Sequence, residues 1–433
     1  MYRNIIQELI KWKEKENKKP LIIRGARQVG KTWIMQEFGK ECYKQTAYIN
    51  FDNNNRMKLL FEQDLDIERL IQGLEIETGL QITPKDTLII FDEIQEVPNA
   101  LKSLKYFYEN GNNYDIIAAG SMLGVAMHQG TSFPVGKVDF LDLYPLNFYE
   151  FLKAMGEEKI VNIVKNKEIE LLDVFHDKIE NYLKQYMYVG GMPEVVNEYV
   201  NTKNLNSVRE IQNKLLEAYE QDFSKHAPNN TVPRIRGLWN NIPTQLAKEN
   251  KKFIYGLVRE GARAREYEVA LSWLIDCGLV YQINRVNTSK IPLIAYQDFG
   301  AFKLFILDVG LLCAMAGISV EILLKGNEVF EEFKGALAEQ FVLCELKSNT
   351  TYPIFYWSSD RGSSELDYII QADNENIPIE VKSGINLQAK SLKVFIQKYG
   401  TKTNVRTSMT RYKKEEWVIN IPLYAIGSIQ KYI

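Results

Sequence analysis

A chain of 433 residues with 45% hydrophobic and 25% charged content has an ordinary globular composition, and its length alone predicts about three domains. The net charge of −2 excludes a global basic field, so a nucleic-acid site has to be a local patch. Four scattered cysteines (Cys42, Cys277, Cys313, Cys344) exclude a zinc ribbon or a disulfide framework and suit a reducing cytosol, and three isolated histidines (His128, His176, His226) exclude a histidine-built metal site.

Ile5, Ile6, Leu9 and Ile10 fall at helical spacing, which predicts an opening helix packed beside a sheet. Glu8 inside its apolar part is unlike a secretory signal. The stretch LIIRGARQVGKT then reads as strand, loop and helix start. Gly25, Ala26, Arg27, Gln28, Val29, Gly30, Lys31 and Thr32 match the phosphate-loop pattern G-x-x-x-x-G-K-[ST]. The glycines allow a tight turn whose amide N–H groups point at nucleotide phosphates. Lys31 would reach the outer phosphates, and the Thr32 hydroxyl would ligate Mg²⁺.

Thr46–Phe51 predicts a second strand, followed by a polar turn and a helical region carrying Leu59, Leu60, Leu65, Ile67, Leu70 and Ile71. Thr87–Glu93 is an apolar strand ending in two carboxylates, the shape of a Walker B element. Asp92 would hold Mg²⁺ through its water shell, and Glu93 would polarise the attacking water. Asp115–Ser121 predicts another strand, with Ser121 placed to sense the γ-phosphate. Residues 137–144 alternate as a fifth strand. A Glu beside the Asp, an extra strand and no N-K-x-D guanine-reading motif favour ATP hydrolysis over kinase or GTPase chemistry, and argue against a loop that only binds ATP.

The segments GARQVGKT, LIIFDEIQEVP, AAGS and LYPLNFYEFL resemble a family of prokaryotic AAA-type ATPases whose C-terminal region is catalogued as a domain of unknown function. The resemblance extends over essentially the whole chain. Where that family often carries Gly-Arg before the Pro-Leu-x-Phe segment, this chain has Gly136-Lys137. Lysine lacks the planar bidentate fork, so the resemblance supplies no arginine finger and leaves the oligomeric state open.

From Asn147 to about Lys225 the pattern is helical and amphipathic, interrupted by Tyr188-Val-Gly190-Gly191-Met192-Pro193. By itself that element is either a helix break or a lid; the resemblance implies the lid, with Pro193 near the adenine. Helices over 234–248 and 267–276, then strands over 278–283 and 292–296, predict a winged helix. Arg234, Arg236, Lys248, Lys251, Lys252, Arg259, Arg263 and Arg265 make it locally basic, with Glu249, Glu260, Glu266 and Glu268 interspersed. Such a stretch reads as a DNA-contacting face, a protein-docking face or, given the interspersed acids, a solvated face. Asp308 and Glu321 interrupt the apolar run 304–324, which predicts a buried strand and helix and no membrane span.

The tail carries a second constellation. Residues 331–347 read as a helix containing Glu339, and residues 364–370 and 377–382 as a hairpin carrying Asp367, Glu380 and Lys382. The ordered set, followed by a helix over 387–398, reproduces the PD-(D/E)xK pattern of restriction-endonuclease-like folds. Glu339, Asp367 and Glu380 would bind Mg²⁺ or Mn²⁺, and Lys382 would stabilise the nucleophile, with Glu380 and Lys382 as the catalytic pair. Nine Lys or Arg and no acids lie between Val381 and Lys414, a phosphate-facing strip. An intact set also serves a domain that binds nucleic acid without cutting it.

The expected protein is a cytoplasmic multidomain α/β chain. Its segments are a P-loop AAA-type core (1–146), a helical lid (147–227), a winged-helix-like domain (228–325) and a PD-(D/E)xK nuclease-like domain (326–433). Two readings follow. One is a Mg²⁺-dependent ATPase controlling a DNA-binding module that also cleaves; the other is a nucleotide-dependent switch whose C-terminal domains bind protein or nucleic acid without cleavage.

Overall fold

Five strands, Leu21–Arg24 (β1), Gln45–Asn50 (β2), Thr87–Asp92 (β3), Asp115–Ala119 (β4) and Asp139–Asp142 (β5), form a parallel sheet of order β2-β3-β4-β1-β5 in the computed structural model. The structure describes residues 1–111, 113–121, 123–124, 134–248, 252–325, 331–359, 364–384 and 387–433. Every residue of β3 and β4 is buried, as the continuous apolar runs of enclosed parallel strands require. The strand inserted between β1 and β3 is β4, so the ends of β1, β3 and β4 lie side by side. Ligands of open parallel sheets bind beyond such carboxyl ends.

Local signals set the helices between these strands. Asn54 caps Asn55–Gln63 by accepting from the Met57 amide at 3.2 Å, and Asp66 caps Ile67–Thr78 by accepting from Arg69 N at 2.9 Å. Gly79 ends the latter helix in the left-handed conformation. Phe51, Phe61, Phe91 and Phe107 pack edge-to-face in the core with centroids 5.4 to 6.2 Å apart. Truncating Phe91, which is fully buried, would cost about 3–5 kcal/mol.

Residues Met1–Tyr144 and Asp276–Leu279 form one compact unit, and Pro145–Ile275 with Val280–Ile433 form the other. The second opens on a reciprocal capping box. The Asn147 side chain accepts from the Glu150 amide at 3.0 Å, and the Glu150 carboxylate accepts from the Asn147 amide at 3.1 Å. Helices follow, among them His176–Val189, Pro193–Thr202, Leu205–His226, Val232–Leu246 and Ala264–Asp276.

The rest of this unit is organised on one mixed sheet. Val280–Val286 (β6), Gln297–Ile306 (β7), Ile354–Ser358 (β8), Glu365–Ala372 (β9), Glu375–Lys382 (β10), Val405–Ser408 (β11), Lys413–Lys414 (β12) and Ile419–Pro422 (β13) are ordered β12-β13-β11-β10-β9-β8-β6-β7. Two expectations change here. The segment expected as the second strand of a winged hairpin contains a short 3₁₀ turn, Leu293–Tyr296, and the strand that pairs with β6 is β7. The hairpin is also not set apart from the carboxylate-bearing strands. β6 pairs in parallel with β8 through Arg285 and Tyr356 and through Val286 and Trp357. Val286 and Leu293 share a core with Trp357, Leu366, Leu392 and Phe395. Burying the apolar side of the hairpin against that core joins the segments expected as winged helix and nuclease-like domain.

The apolar run 304–324 divides into the end of β7 and the helices Val309–Met315 and Val320–Lys325. Among the described residues, no helix is long and apolar enough to cross a membrane.

Candidate functional site

The loop between β1 and the helix Lys31–Cys42 takes the backbone its sequence demands. Gly25, Gln28 and Gly30 all have positive φ. A Cβ on Gly25 would strike the Leu143 carbonyl oxygen, so glycine is required there for close approach as well. Arg3, buried at 5% exposure, ties the loop down by donating to Val29 O at 3.0 Å and to Tyr144 O at 2.5 Å. No motif in the sequence marks Arg3; it precedes the first helix and acts on a carbonyl 26 residues away.

Lys31 is buried and donates to the Gly25 and Ala26 carbonyls at 2.9 and 2.7 Å. Burial lowers its pKa to about 8, while Glu93 and Asp92 pull it upward. The Thr32 hydroxyl donates to Asp92 Oδ2 at 2.6 Å, and the Tyr48 hydroxyl donates to the same oxygen at 2.9 Å. Burial and then the Asp92 charge raise the Tyr48 phenol above its ordinary range, so it remains a donor. Tyr48 was not singled out in the sequence, where it reads only as an aromatic in a strand.

Glu93 holds a left-handed backbone (φ +50°, ψ +43°), uncommon for a residue with a Cβ. Its Oε2 accepts from Gln95 Nε2 at 2.7 Å, from Ser121 Oγ at 3.1 Å and from Ser121 N at 3.4 Å. Gly120, beside Ser121, has no room for a Cβ because Gln95 Oε1 fills that position. The ends of β1, β3 and β4 thus gather Lys31, Thr32, Asp92, Glu93 and Ser121. Gln95 joins them unannounced, two residues beyond Glu93.

That gathering of phosphate loop, Asp-Glu pair and small polar residue on a β2-β3-β4-β1-β5 sheet coincides with a family match. Residues 17–152 match the model of a family described as an AAA domain. The chain carries an AAA-type P-loop domain. Two further models match, both described as domains of unknown function: DUF8612 over residues 180–321 and DUF4143 over residues 334–425. An uncharacterized protein of Haemophilus influenzae is 25% identical over 199 residues, which is 45% of this chain and 44% of that protein, so the match spans under half of the relative. The Walker-type ATPase PABY2304 of Pyrococcus abyssi is 14% identical with a TM-score of 0.44, covering 72% of this chain and 94% of its own. The Aeropyrum pernix ORC1 protein, solved in complex with DNA, is 12% identical with a TM-score of 0.30, covering 73% and 93%.

The AAA domain keeps its Lys137 occupied. The ammonium pairs with Glu109 at 3.0 Å and lies 5.4 Å from the Tyr108 ring centroid. In the second unit, Pro193 starts the helix Pro193–Thr202, and the preceding glycines serve packing. Gly191 N donates to Asp308 Oδ2 at 2.6 Å, and a Cβ on Gly191 would strike Leu146 O. Asp308, whose pKa burial raises to about 6, also caps the helix Val309–Met315. The Gly-Gly turn therefore has a structural task, independent of any adenine contact by Pro193.

The C-terminal set divides in two. Glu380 Oε1 pairs with Lys382 at 2.7 Å, while its Oε2 accepts from Leu392 N at 3.0 Å at the start of the helix Lys390–Tyr399. Asp367 Oδ2 accepts from Val381 N at 2.7 Å. Glu339 lies within 3.8 Å of Lys303, which also pairs with Glu365 at 2.6 Å. Lys303 has no exposed surface. Burial opposes its charge, yet Glu365, Glu339 and Asp367 raise its pKa above the ordinary lysine value. The expected metal set of Glu339, Asp367 and Glu380 does not converge. Among the described residues, the group with ligand atoms within 4.8 Å of one another is His176, Asp177 and Glu180, whose imidazole already contacts Tyr424 OH and Met409 O, each at 3.1 Å.

The basic surfaces also sort out. Arg406 is buried and bonded to Asn420, Leu387 O and Glu415, so it leaves the expected strip. Lys390, Lys393, Lys398, Lys402, Lys413 and Lys414 are exposed, with Lys393 4.8 Å from the Trp417 ring centroid. Around Arg234–Arg265 the exposed arginines and lysines alternate with exposed Glu260, Glu266 and Glu268; Glu249 and Lys251 fall outside the described residues, as does His128.

Proposed function

We propose that this protein hydrolyses ATP in its AAA domain and couples the nucleotide state to a C-terminal module that binds DNA without cutting it. The observation that carries the hydrolysis reading is the pairing of Thr32 with Asp92 beside the pairing of Glu93 with Ser121 at adjacent strand ends. Loop amides and Lys31 would bind the phosphates. The hard oxygens of Thr32 and buried Asp92 fit Mg²⁺, which when bound neutralises phosphate charge. Glu93, held by Ser121 and Gln95, orients the water and accepts its proton. Ser121 links that carboxylate to the end of β4, where it can register the γ-phosphate.

For the C-terminal module, the exposed lysines of 382–414 with Trp417 among them support a phosphate-backbone surface. A metal-dependent cut requires carboxylates free to take a divalent ion. Here Lys303 pairs with Glu365 and lies 3.8 Å from Glu339, Asp367 accepts from Val381 N, and Lys382 pairs with Glu380. The residues present do not fit the metal, which favours binding over cleavage.

The test compares wild type, Glu93→Gln and Glu380→Gln with ATP, Mg²⁺ or Mn²⁺, and single- or double-stranded DNA. Expected are an ATPase rate lowered about 10²–10⁴-fold in Glu93→Gln, salt-dependent DNA binding, and intact DNA throughout. A wild-type rate no faster than Glu93→Gln defeats the hydrolysis reading. Nicking that depends on Glu380 restores the cleaving reading.

A further inference from the structure

Asp92 carries one hydrogen bond more than its burial requires. Its Oδ1 accepts from Glu93 N at 3.1 Å and its Oδ2 from the Thr32 hydroxyl at 2.6 Å, which gives each carboxylate oxygen a donor. The Tyr48 hydroxyl then adds a second donor to Oδ2 at 2.9 Å. Tyr48 comes from β2, the edge strand beside β3, where it pairs with Ile90 while Asn50 pairs with Asp92. Residues two apart on a strand share a face, so Tyr48 and Asp92 emerge on one side, two positions out of register. A phenol is long enough to span that offset and ends in a donor. All of these residues belong to the unit that holds the phosphate loop.

A carboxylate offers about four lone-pair sites, two on each oxygen. Thr32 and Tyr48 together occupy both on Oδ2. Thr32, the hydroxyl that would ligate Mg²⁺, stands beside Oδ2, so Oδ2 is the oxygen that a metal there would meet first. The Thr32 proton points at Asp92, which leaves the hydroxyl lone pairs for a cation; Thr32 is therefore not the donor to give way. We propose that Tyr48 is a positioning residue of the ATP site that closes Asp92 Oδ2 to direct metal contact, so that Asp92 reaches Mg²⁺ through a water ligand. This rests on the hydrolysis reading above and adds the residue that sets how the ion is held. The arrangement suits Mg²⁺, which dehydrates reluctantly and keeps several waters. A larger ion such as Mn²⁺ gives up a water for a carboxylate more readily, once an oxygen is freed.

The test counts the water ligands of Mn²⁺ bound with ATP. The full chain carries Glu93→Gln so that ATP persists, and broadening of the Mn²⁺ paramagnetic resonance in ¹⁷O-enriched water gives the count. Adding Tyr48→Phe, which keeps the ring and removes the donor, is expected to leave one water fewer on the ion. In the chain with Glu93 intact, Tyr48→Phe is expected to raise the ratio of kcat/KM with Mn²⁺ to that with Mg²⁺ about tenfold, the factor that one hydrogen bond to a charged group carries. A merely structural role would lower both rates alike and leave the water count as it was. An unchanged count or an unchanged ratio overturns the proposal, as does a Tyr48→Phe chain that binds no Mn²⁺·ATP where its parent does. The water count needs no hydrolysis, so it judges Tyr48 even if the wild-type rate is no faster than that of Glu93→Gln. An unchanged count beside a faster wild-type rate removes Tyr48 from this role and leaves the hydrolysis reading standing. A parent chain that binds no Mn²⁺·ATP defeats both.

Discussion

Gln95 offers the sharpest test of how the Glu93 carboxylate, proposed above to orient the water, is held. Its amide donates to Glu93 Oε2 at 2.7 Å, the shortest of three bonds to that oxygen. Glu93 itself sits in left-handed backbone, which costs a residue with a Cβ about 1–2 kcal/mol. The bonds offset that strain and fix the direction of the carboxylate. A hydrogen bond to an ionised group contributes about 1.5–3 kcal/mol, and partial exposure puts this one near the lower end. Losing about 1.4 kcal/mol of orientation is tenfold in rate. Gln95→Ala is therefore expected to lower kcat for ATP about tenfold and leave KM unchanged, because Gln95 touches the carboxylate and not the phosphate loop. Gly120→Ala reaches the same bond from β4, since its new Cβ would displace the Gln95 amide, and should give a similar kcat loss. Steady-state phosphate release, with thermal melting as the fold control, measures both. A folded Gln95→Ala protein within about twofold of wild type, the spread of an inert surface change, refutes the argument.

Lys31 and Glu345 supply pH tests of opposite character. Burial holds the Lys31 pKa near 8, so above that pH the free protein loses the charge that phosphates need. ATP affinity should be flat below pH 7 and weaken by up to about tenfold per unit above pH 8, because binding must then take up a proton; a flat profile in nucleotide titrations from pH 6.5 to about 9.5 refutes it. Glu345 accepts from Phe148 N at 2.7 Å in the second unit, and burial raises its pKa to about 8 from an ordinary 4.5. The folded state keeps a proton that the unfolded state releases, so stability on its account is full at low pH and declines as pH rises between those values. Glu345→Gln keeps the acceptor and removes the slope. It should gain on wild type by at least about 1.4 kcal/mol, one pKa unit, between pH 6 and pH 9 in denaturant unfolding; a difference independent of pH refutes the assignment.

These residues separate what a linear reading reaches from what it does not. The phosphate loop and the Asp92-Glu93 strand end were legible because their chemistry is local: glycines, a lysine and a threonine in a fixed order impose one backbone, and an apolar run imposes a buried strand. The sheet order adds what order along the chain cannot show, that β4 lies between β1 and β3 and brings Ser121 to Glu93. Arg3, Tyr48 and Gln95 escaped for a common reason. Each works through one polar atom on a partner chosen by tertiary packing, and none leaves a spacing to detect. The hairpin that starts at β6 has a second strand other than the expected 292–296 for the converse reason. The turn-rich stretch after β6 allows either a strand or a tight turn, and burial of Leu293 beside Trp357 settled it as a 3₁₀ turn.

Lys303 shows the same limit in the second unit. In sequence it is one lysine within the apolar end of β7, and the Glu339, Asp367, Glu380, Lys382 order reads as a complete catalytic pattern without it. A pattern of acids specifies where negative charge accumulates; it does not specify which cation answers it. Mg²⁺ and an ammonium compete for the same electrostatic position, but a tethered ammonium loses no translational entropy on arrival and needs no supply from solution. Lys303 is buried 2.6 Å from Glu365 and 3.8 Å from Glu339, so a tethered ammonium meets part of the negative charge that these acids bring. An order of acids can thus be complete in the chain while, in the fold, a lysine 36 positions before the first of them lies 3.8 Å from that acid.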